Sequence, residues 1–207
     1  MVDFTLLAIF IPTFFIVSIT PGMCMTLAMT LGMSIGVRKT MWMMWGELLG
    51  VATVAITAVV GVSAVMLQYP LIFSFLKIAG ALYLLWIGVN MWRSKGKLAL
   101  SDTPSESTRI SKLTLFNQGF LTAIANPKGW AFMISLLPPF INPNLSLLGQ
   151  LTVLVVVISC SEFICMMLYA TGGKTIGKAL TQQNNVKKLN KISGSLMMAV
   201  GLWLALS

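Results

Sequence analysis

Four ionisable side chains stand inside long apolar runs of this chain: Glu47, Lys77, Lys128 and Glu162. A charged group at the centre of a bilayer costs at least about 2.5–3.5 kcal/mol on insertion scales, so such groups face a bundle interior or a cavity and pair there. Carboxylates can hold an ammonium group or carry a proton, and a lysine can hold a carboxylate. Beside them, two apolar runs are interrupted in the same way. Thr20-Pro21-Gly22 breaks the run from Phe4 to about Leu31, and Asn126-Pro127-Lys128-Gly129 breaks the run from about Phe116 to Ile141. Thr and Asn favour the cap of a helix, and Pro favours its first turn, where its missing N–H would be unpaired in any case. The spacing therefore predicts two helices interrupted within the membrane, restarting at Pro21 and at Pro127. Half-helix N-termini of this kind offer N–H groups and a positive dipole end, and in transporters they mark binding sites.

Together these residues suit a small zwitterion such as an amino acid. Thr20, Pro21, Gly22, Asn126, Pro127 and Lys128 would take its carboxylate end. Glu47 and Glu162 would take its ammonium group, and both are candidates for carrying a coupling proton. Two bland alternatives stand beside this reading: the prolines as mere kinks, and Lys128 as the partner of a Glu that holds the bundle together. Lys77 lies near the outer side, where it can snorkel to water.

The elements that must position these groups are membrane helices. Of 207 residues, 57% are hydrophobic and only 9% charged, with mean hydropathy +0.89, against about 25% charged in an ordinary soluble domain. Six spans are expected, at about 4–31, 40–66, 70–92, 114–141, 147–170 and 191–206, giving an all-α polytopic bundle. The first is read as a span rather than a cleaved signal peptide, because it is long and has Asp3 in place of a cationic leader. All cations except Lys77 and Lys128 fall in loops after spans one, three and five or just beyond, while Gln68-Tyr69-Pro70 and the stretch from Asn142 to Ser146 have none. The positive-inside rule then places both termini outside the cytoplasm. The net charge of +9 follows from this topology and from attraction to anionic lipid, so no nucleic-acid partner is called for. The chain has no His and three cysteines, Cys24, Cys160 and Cys165, all within spans. Neither a disulfide framework nor a cofactor is implied.

The halves resemble each other. Lys77-Ile78-Ala79-Gly80-Ala81-Leu82 parallels Lys191-Ile192-Ser193-Gly194-Ser195-Leu196, and Glu47 parallels Glu162 at nearly the same separation. An insertion of about eight residues in the second half aligns Pro21 with Pro127 as well. A three-span unit must repeat upside down, so the expectation is two inverted repeats, 1–93 and 114–207. The Ser-, Thr-, Lys- and Pro-rich stretch between them, 94–113, reads as a cytoplasmic linker. The polar segment from Ile176 to Leu189 is expected at the cytoplasmic surface.

Gly32/Gly36 and Gly46/Gly50 have the spacing of close helix packing, within the chain or across a homodimer. Trp42, Trp45, Trp92 and Trp203 sit near span ends, as interfacial anchors do. Gly173-Lys174-Thr175 is not a P-loop, because Leu168 stands where that motif needs Gly. The many methionines, with Met23-Cys24-Met25 directly after the first break, leave soft-metal efflux as a rival. A membrane assembly protein is a rival of another class; an enzyme is disfavoured by the lack of His and of any nucleotide motif.

Thr20-Pro21-Gly22, Gly46-Glu47, Lys77-x2-Gly80-x2-Tyr83-Leu84, Gly119-Phe120, Asn126-Pro127-Lys128, and Gly194 with Gly201 run through the whole chain in the order found in the LysE/RhtB family of amino-acid exporters, which the chain resembles. The resemblance implies efflux of amino acids or close derivatives across a bacterial inner membrane, driven by the proton motive force. In two places this chain departs from the family pattern. Met23 stands where the family has a second Pro, and Glu47 stands where it has Asp. Both lie in the proposed site, so an atypical substrate is expected.

Overall fold

A computed structural model of the protein describes residues 3–68, 70–93, 110–142, 144–173, 175 and 183–206. Among these, regular structure is all helical. The helices are α1 (Phe4–Ile19), α2 (Met23–Ile35), α3 (Val37–Gln68), α4 (Pro70–Arg93), α5 (Lys112–Ile124), α6 (Pro127–Leu136), α7 (Leu147–Thr171) and α8 (Gln183–Leu206), with a 3-10 turn at Pro138–Phe140. Within the described residues, two helical stretches are long and apolar enough to cross a membrane alone, Val37–Gly61 and Leu147–Thr171. The pair α1 and α2 passes the same test as one unit, bent by 57° at its break. The linker expected over 94–113 falls largely outside the described residues, as do positions 176–182 of the expected surface segment and the side chains of Lys77 and Trp203. From Gln183 onward that segment is already helical and continues into α8.

Both apolar runs break where the sequence interrupts them, but by different local means. Pro127 forces the residue before it out of the helical region, and Asn126 is extended (φ −78°, ψ 104°). Its side chain accepts from the Lys128 N–H at 3.1 Å, so Asn126 caps α6 with Pro127 in the first turn, as expected. The first break corrects the expectation. Thr20 does not cap α2; it closes α1, and its hydroxyl donates back to the Ile16 carbonyl at 3.1 Å. Pro21 holds Thr20 extended, Gly22 is extended too (φ −136°, ψ −170°), and α2 starts only at Met23. Gly22 is therefore the cap position, and it has no side chain to cap with.

Glycines set how closely the helices cross. A Cβ on Gly46 would overlap the Phe116 carbonyl of α5, and one on Gly119 would overlap the Met43 carbonyl of α3. A Cβ on Gly50 would lie 2.7 Å from that of Ala123. The α3–α5 crossing is thus backbone on backbone, the geometry small residues permit in membrane bundles. Gly88 of α4 and Gly194 of α8 face each other in the same way. Gly32 packs on the Ala170 backbone, whereas Gly36 has nothing near it; its φ of 82° and ψ of 153° make it a turn glycine between α2 and α3 rather than a packing one.

Two buried clusters flank the breaks. One is built on Phe10, Phe14, Val54, Leu84, Phe132, Leu136 and Ile158, with Phe10 stacked on Phe14 at 5.5 Å and edge-on to Phe140 at 5.1 Å. The other is rich in sulfur: Met25, Met29, Met43, Met44, Cys165 and Met166. These methionines fill irregular gaps between α2, α3 and α7, the usual use of a flexible thioether. Trp42 and Trp92 each lie under a lysine, Lys112 and Lys191, at 5.0 Å.

Candidate functional site

The two breaks meet at one cavity of about 60 Å³. Its wall includes Thr20 and Gly22 from the first break, Asn126 and Lys128 from the second, Glu47 from α3 and Glu162 from α7. Phe14, Val17, Cys24, Val54, Phe132 and Met133 supply most of the apolar remainder. Pro21 and Pro127 are not in this wall. They shape the breaks, and Pro127 instead faces a second, open hollow of about 610 Å³ between α4 and α6, beside Tyr83 and Trp130.

Lys128 comes from the first turn of α6 and crosses to the opposite break. Its Nζ lies 3.9 Å from where a Cβ on Gly22 would stand and 6.0 Å from the centre of the Phe132 ring. Glu162 accepts a hydrogen bond from the Ser18 hydroxyl at 2.9 Å, and its charge and that of Lys128 attract across the cavity. Glu47 is differently placed. It is only 1% exposed, and its Oε2 is the one fully buried side-chain oxygen or nitrogen, among the described residues, that has no hydrogen-bond partner. A buried carboxylate oxygen left in that state costs about 1–3 kcal/mol or more. A donor arriving in the cavity would recover it.

Several residues that sequence reasoning passed over complete the site. Ser18 fixes Glu162; a lone hydroxyl in an apolar run gives little signal, since most such groups bond to their own helix. Cys24, noted in the sequence only as one of three cysteines within spans, lies in the wall with the Asn126 amide 3.8 Å from its sulfur. At each break an aromatic side chain donates to a carbonyl that the interrupted helix leaves open. Tyr169 O–H reaches the Ile19 carbonyl at 2.9 Å, and Trp130 Nε1–H reaches the Ile124 carbonyl at 2.8 Å. Interrupted backbone in a bilayer needs such partners. The expectation of two equivalent, open helix N-termini is corrected here. The α6 end has Pro127, which lacks an N–H, and an Asn126 side chain already engaged with Lys128 N–H. The α2 end has no side-chain cap. Among the described residues, no group of three or more His, Cys, Asp or Glu side chains is arranged to hold a metal ion.

At the start of α1, Asp3 accepts from the N–H groups of Thr5 and Leu6 and from the Asn142 amide at 3.4 Å. Buried Gln150 of α7 ties down the same loop, accepting from Asn142 N–H at 2.8 Å and donating to the Asn142 carbonyl at 3.0 Å. This cluster secures a loop and stands apart from the cavity.

Known proteins share this chain's sequence over most of its length. It is 31% identical over 190 residues to a homoserine/homoserine lactone efflux protein of Salmonella typhimurium, covering 92% of this chain and 91% of that one. It is 27% identical over 199 residues to a leucine efflux protein of an Enterobacter species, covering 93% and 90%. It is 29% identical over 188 residues to an uncharacterized membrane protein of Vibrio cholerae, covering 91% and 90%. No solved structure matches the chain. Residues 15–207, a stretch that contains both breaks and every charged group in the cavity, match the family described as LysE type translocator, and this bacterial membrane protein belongs to that family.

Proposed function

We propose that the protein exports amino acids or similar small zwitterionic metabolites across the bacterial inner membrane, with its binding site at the two helix breaks. One observation carries the reading: a buried, largely apolar cavity in which Lys128, Glu47 and Glu162 converge with the ends of two interrupted helices. A zwitterion fits those charges end to end, and the family and the efflux proteins related to this chain support the direction of transport. In this reading Thr20, Pro21, Gly22, Asn126, Pro127 and Lys128 build the carboxylate side, and Glu47 and Glu162 the ammonium side. The cavity of about 60 Å³ has room for a few waters, far below the roughly 300–1,000 Å³ of ligand pockets. Substrate therefore enters through an opened form, and the hinge is the pair of breaks.

The proposed architecture is two inverted three-helix repeats, 1–93 and 114–207, joined by the cytoplasmic linker 94–113, with both termini outside the cytoplasm. Matching features support it: a Pro-containing break in each half, and one acid on α3 and one on α7. Export against a gradient needs an energy source, and a proton carried by Glu47 or Glu162 supplies one. A proton entering from outside would neutralise that carboxylate, weaken its hold on the substrate ammonium and release the substrate outward.

The test is counterflow of radiolabelled amino acids in proteoliposomes, over a panel including L-homoserine, L-homoserine lactone and L-leucine, with and without an imposed pH gradient. Saturable counterflow of at least one panel member is expected, stimulated by a gradient acid on the side opposite the substrate. No saturable transport of any member would sink the exporter reading. Transport indifferent to the gradient would remove the proton.

A further inference from the structure

The two helix breaks differ at their second halves, and the difference decides how a substrate sits. The α6 N-terminus is mostly spoken for: Pro127 has no N–H, the Asn126 N–H bonds to the Ala123 carbonyl at 3.2 Å, and the Lys128 N–H is taken by the Asn126 side chain at 3.1 Å, which leaves the Gly129 N–H before the first helical bond at Trp130. The α2 N-terminus is not. Its first helical bond runs from Thr26 N–H to the Gly22 carbonyl at 2.9 Å, so the N–H groups before Thr26 have no acceptor within the helix. Gly22, which stands at the cap, offers them no side-chain acceptor. Gly22, Cys24 and Met25 all line the cavity, so this turn opens on it. The backbone does not require glycine there: φ is −136°, which any residue adopts, and a Cβ would meet nothing nearer than 3.9 Å. What glycine supplies is the absence of a cap.

We infer that the first turn of α2, with the Lys128 ammonium beside it, is the carboxylate subsite, and that Gly22 keeps it open. The second half of the argument is independent of the helix end. Glu47 Oε2 is buried in the same cavity without a hydrogen-bond partner, an acceptor awaiting an N–H donor. A primary ammonium satisfies it. The substrate is then an α-amino acid held head to tail, its carboxylate on the α2 turn and Lys128, its ammonium on Glu47. Glu162, already held by Ser18, completes the ammonium side and also balances the charge of Lys128. This assignment rests on the exporter reading above.

Gly22→Asn tests it. Asn is among the strongest N-cap residues, and at position 22 its side-chain oxygen would take the α2 N–H groups that the substrate carboxylate needs. Gly22→Ala adds the Cβ without the cap. Binding of L-leucine and L-homoserine to the full-length protein in lipid nanodiscs is measured for wild type and for both variants, with Glu47→Gln and Lys128→Met alongside. Expected is a tenfold or greater loss of affinity in Gly22→Asn, a smaller loss in Gly22→Ala, and unchanged or raised thermal stability in Gly22→Asn. Equal affinities in Gly22→Asn and wild type, while Glu47→Gln and Lys128→Met lose binding, would overturn the α2 subsite and leave the cavity as the binding site. Full binding by Glu47→Gln and Lys128→Met, or binding of neither amino acid by wild type, would overturn the exporter site itself and the subsite with it.

Discussion

Replacing Lys128 by Met separates a binding role from a structural one. The Lys128 stem runs beside the Phe132 ring, and a methionine of similar length retains that packing, since volume-conserving swaps are tolerated best. Only the charge is lost. For a substrate carboxylate, truncating one member of a buried charged pair costs about 2–5 kcal/mol, which is about 30- to 4,000-fold in affinity. For the fold, Glu162 loses an attraction across the cavity but keeps the Ser18 hydroxyl at 2.9 Å, so the stability cost is set at about 1–3 kcal/mol. Adding Glu162→Gln removes the second charge and should return most of that stability, because replacing a buried pair together is often near neutral. Export should not return with it. Thermal unfolding in detergent and counterflow in proteoliposomes, run on wild type, both single variants and the double, give the cycle. Wild-type export by Lys128→Met would refute the reasoning. So would a double variant that regains export and stability together, which would make Lys128 a partner of Glu162 and nothing more.

Glu47→Gln is expected to cut binding at least about 30-fold while lowering thermal stability little, since it removes an acceptor the fold leaves unsatisfied; equilibrium binding and melting curves check the two effects. Gly46→Ala should destabilise by about 1–3 kcal/mol or fail to fold, because its Cβ overlaps the Phe116 carbonyl. Gly61→Ala, with nothing within 4 Å, should gain about 0.5–1 kcal/mol; folded yield after solubilisation reads both. Gly36→Ala should cost about 1–3 kcal/mol for its φ of 82° without changing substrate affinity.

Charge in apolar runs and Pro-containing breaks were legible because the bilayer makes both expensive, so each marks a place where the bundle must compensate. Those rules brought Glu47, Lys128, Glu162 and both breaks to notice without any coordinates. What the rules do not carry is direction along the chain. Thr20 and Asn126 look equivalent before a Pro, yet the Thr20 hydroxyl turns back to Ile16 while the Asn126 amide reaches forward. The shorter Thr side chain readily bonds one turn back, and Gly22 lets the chain stay extended for one more residue. Ser18, Tyr169 and Trp130 were invisible for another reason. Each acts on a backbone or side-chain group that is exposed only once the helices are broken and packed, so no spacing in the sequence announces it. Gly36 was misread as a packing glycine because a Gly-x3-Gly pattern says nothing about which glycine ends a helix.

The central claim, that the cavity between the breaks is where the substrate binds, is tested most directly at Cys24. This thiol lies in the cavity wall, whereas Cys160 is exposed on the outside of the bundle and Cys165 sits in the methionine-rich cluster. With Cys160→Ala and Cys165→Ala, Cys24 is the only thiol left. Its alkylation by a small maleimide is followed in proteoliposomes, with and without a saturating concentration of the amino acid that the counterflow panel identifies. The account predicts that the amino acid slows alkylation at least severalfold, and that adding Glu47→Gln abolishes the protection. Alkylation at the same rate with and without a demonstrably transported amino acid would contradict it and place the substrate elsewhere in the bundle.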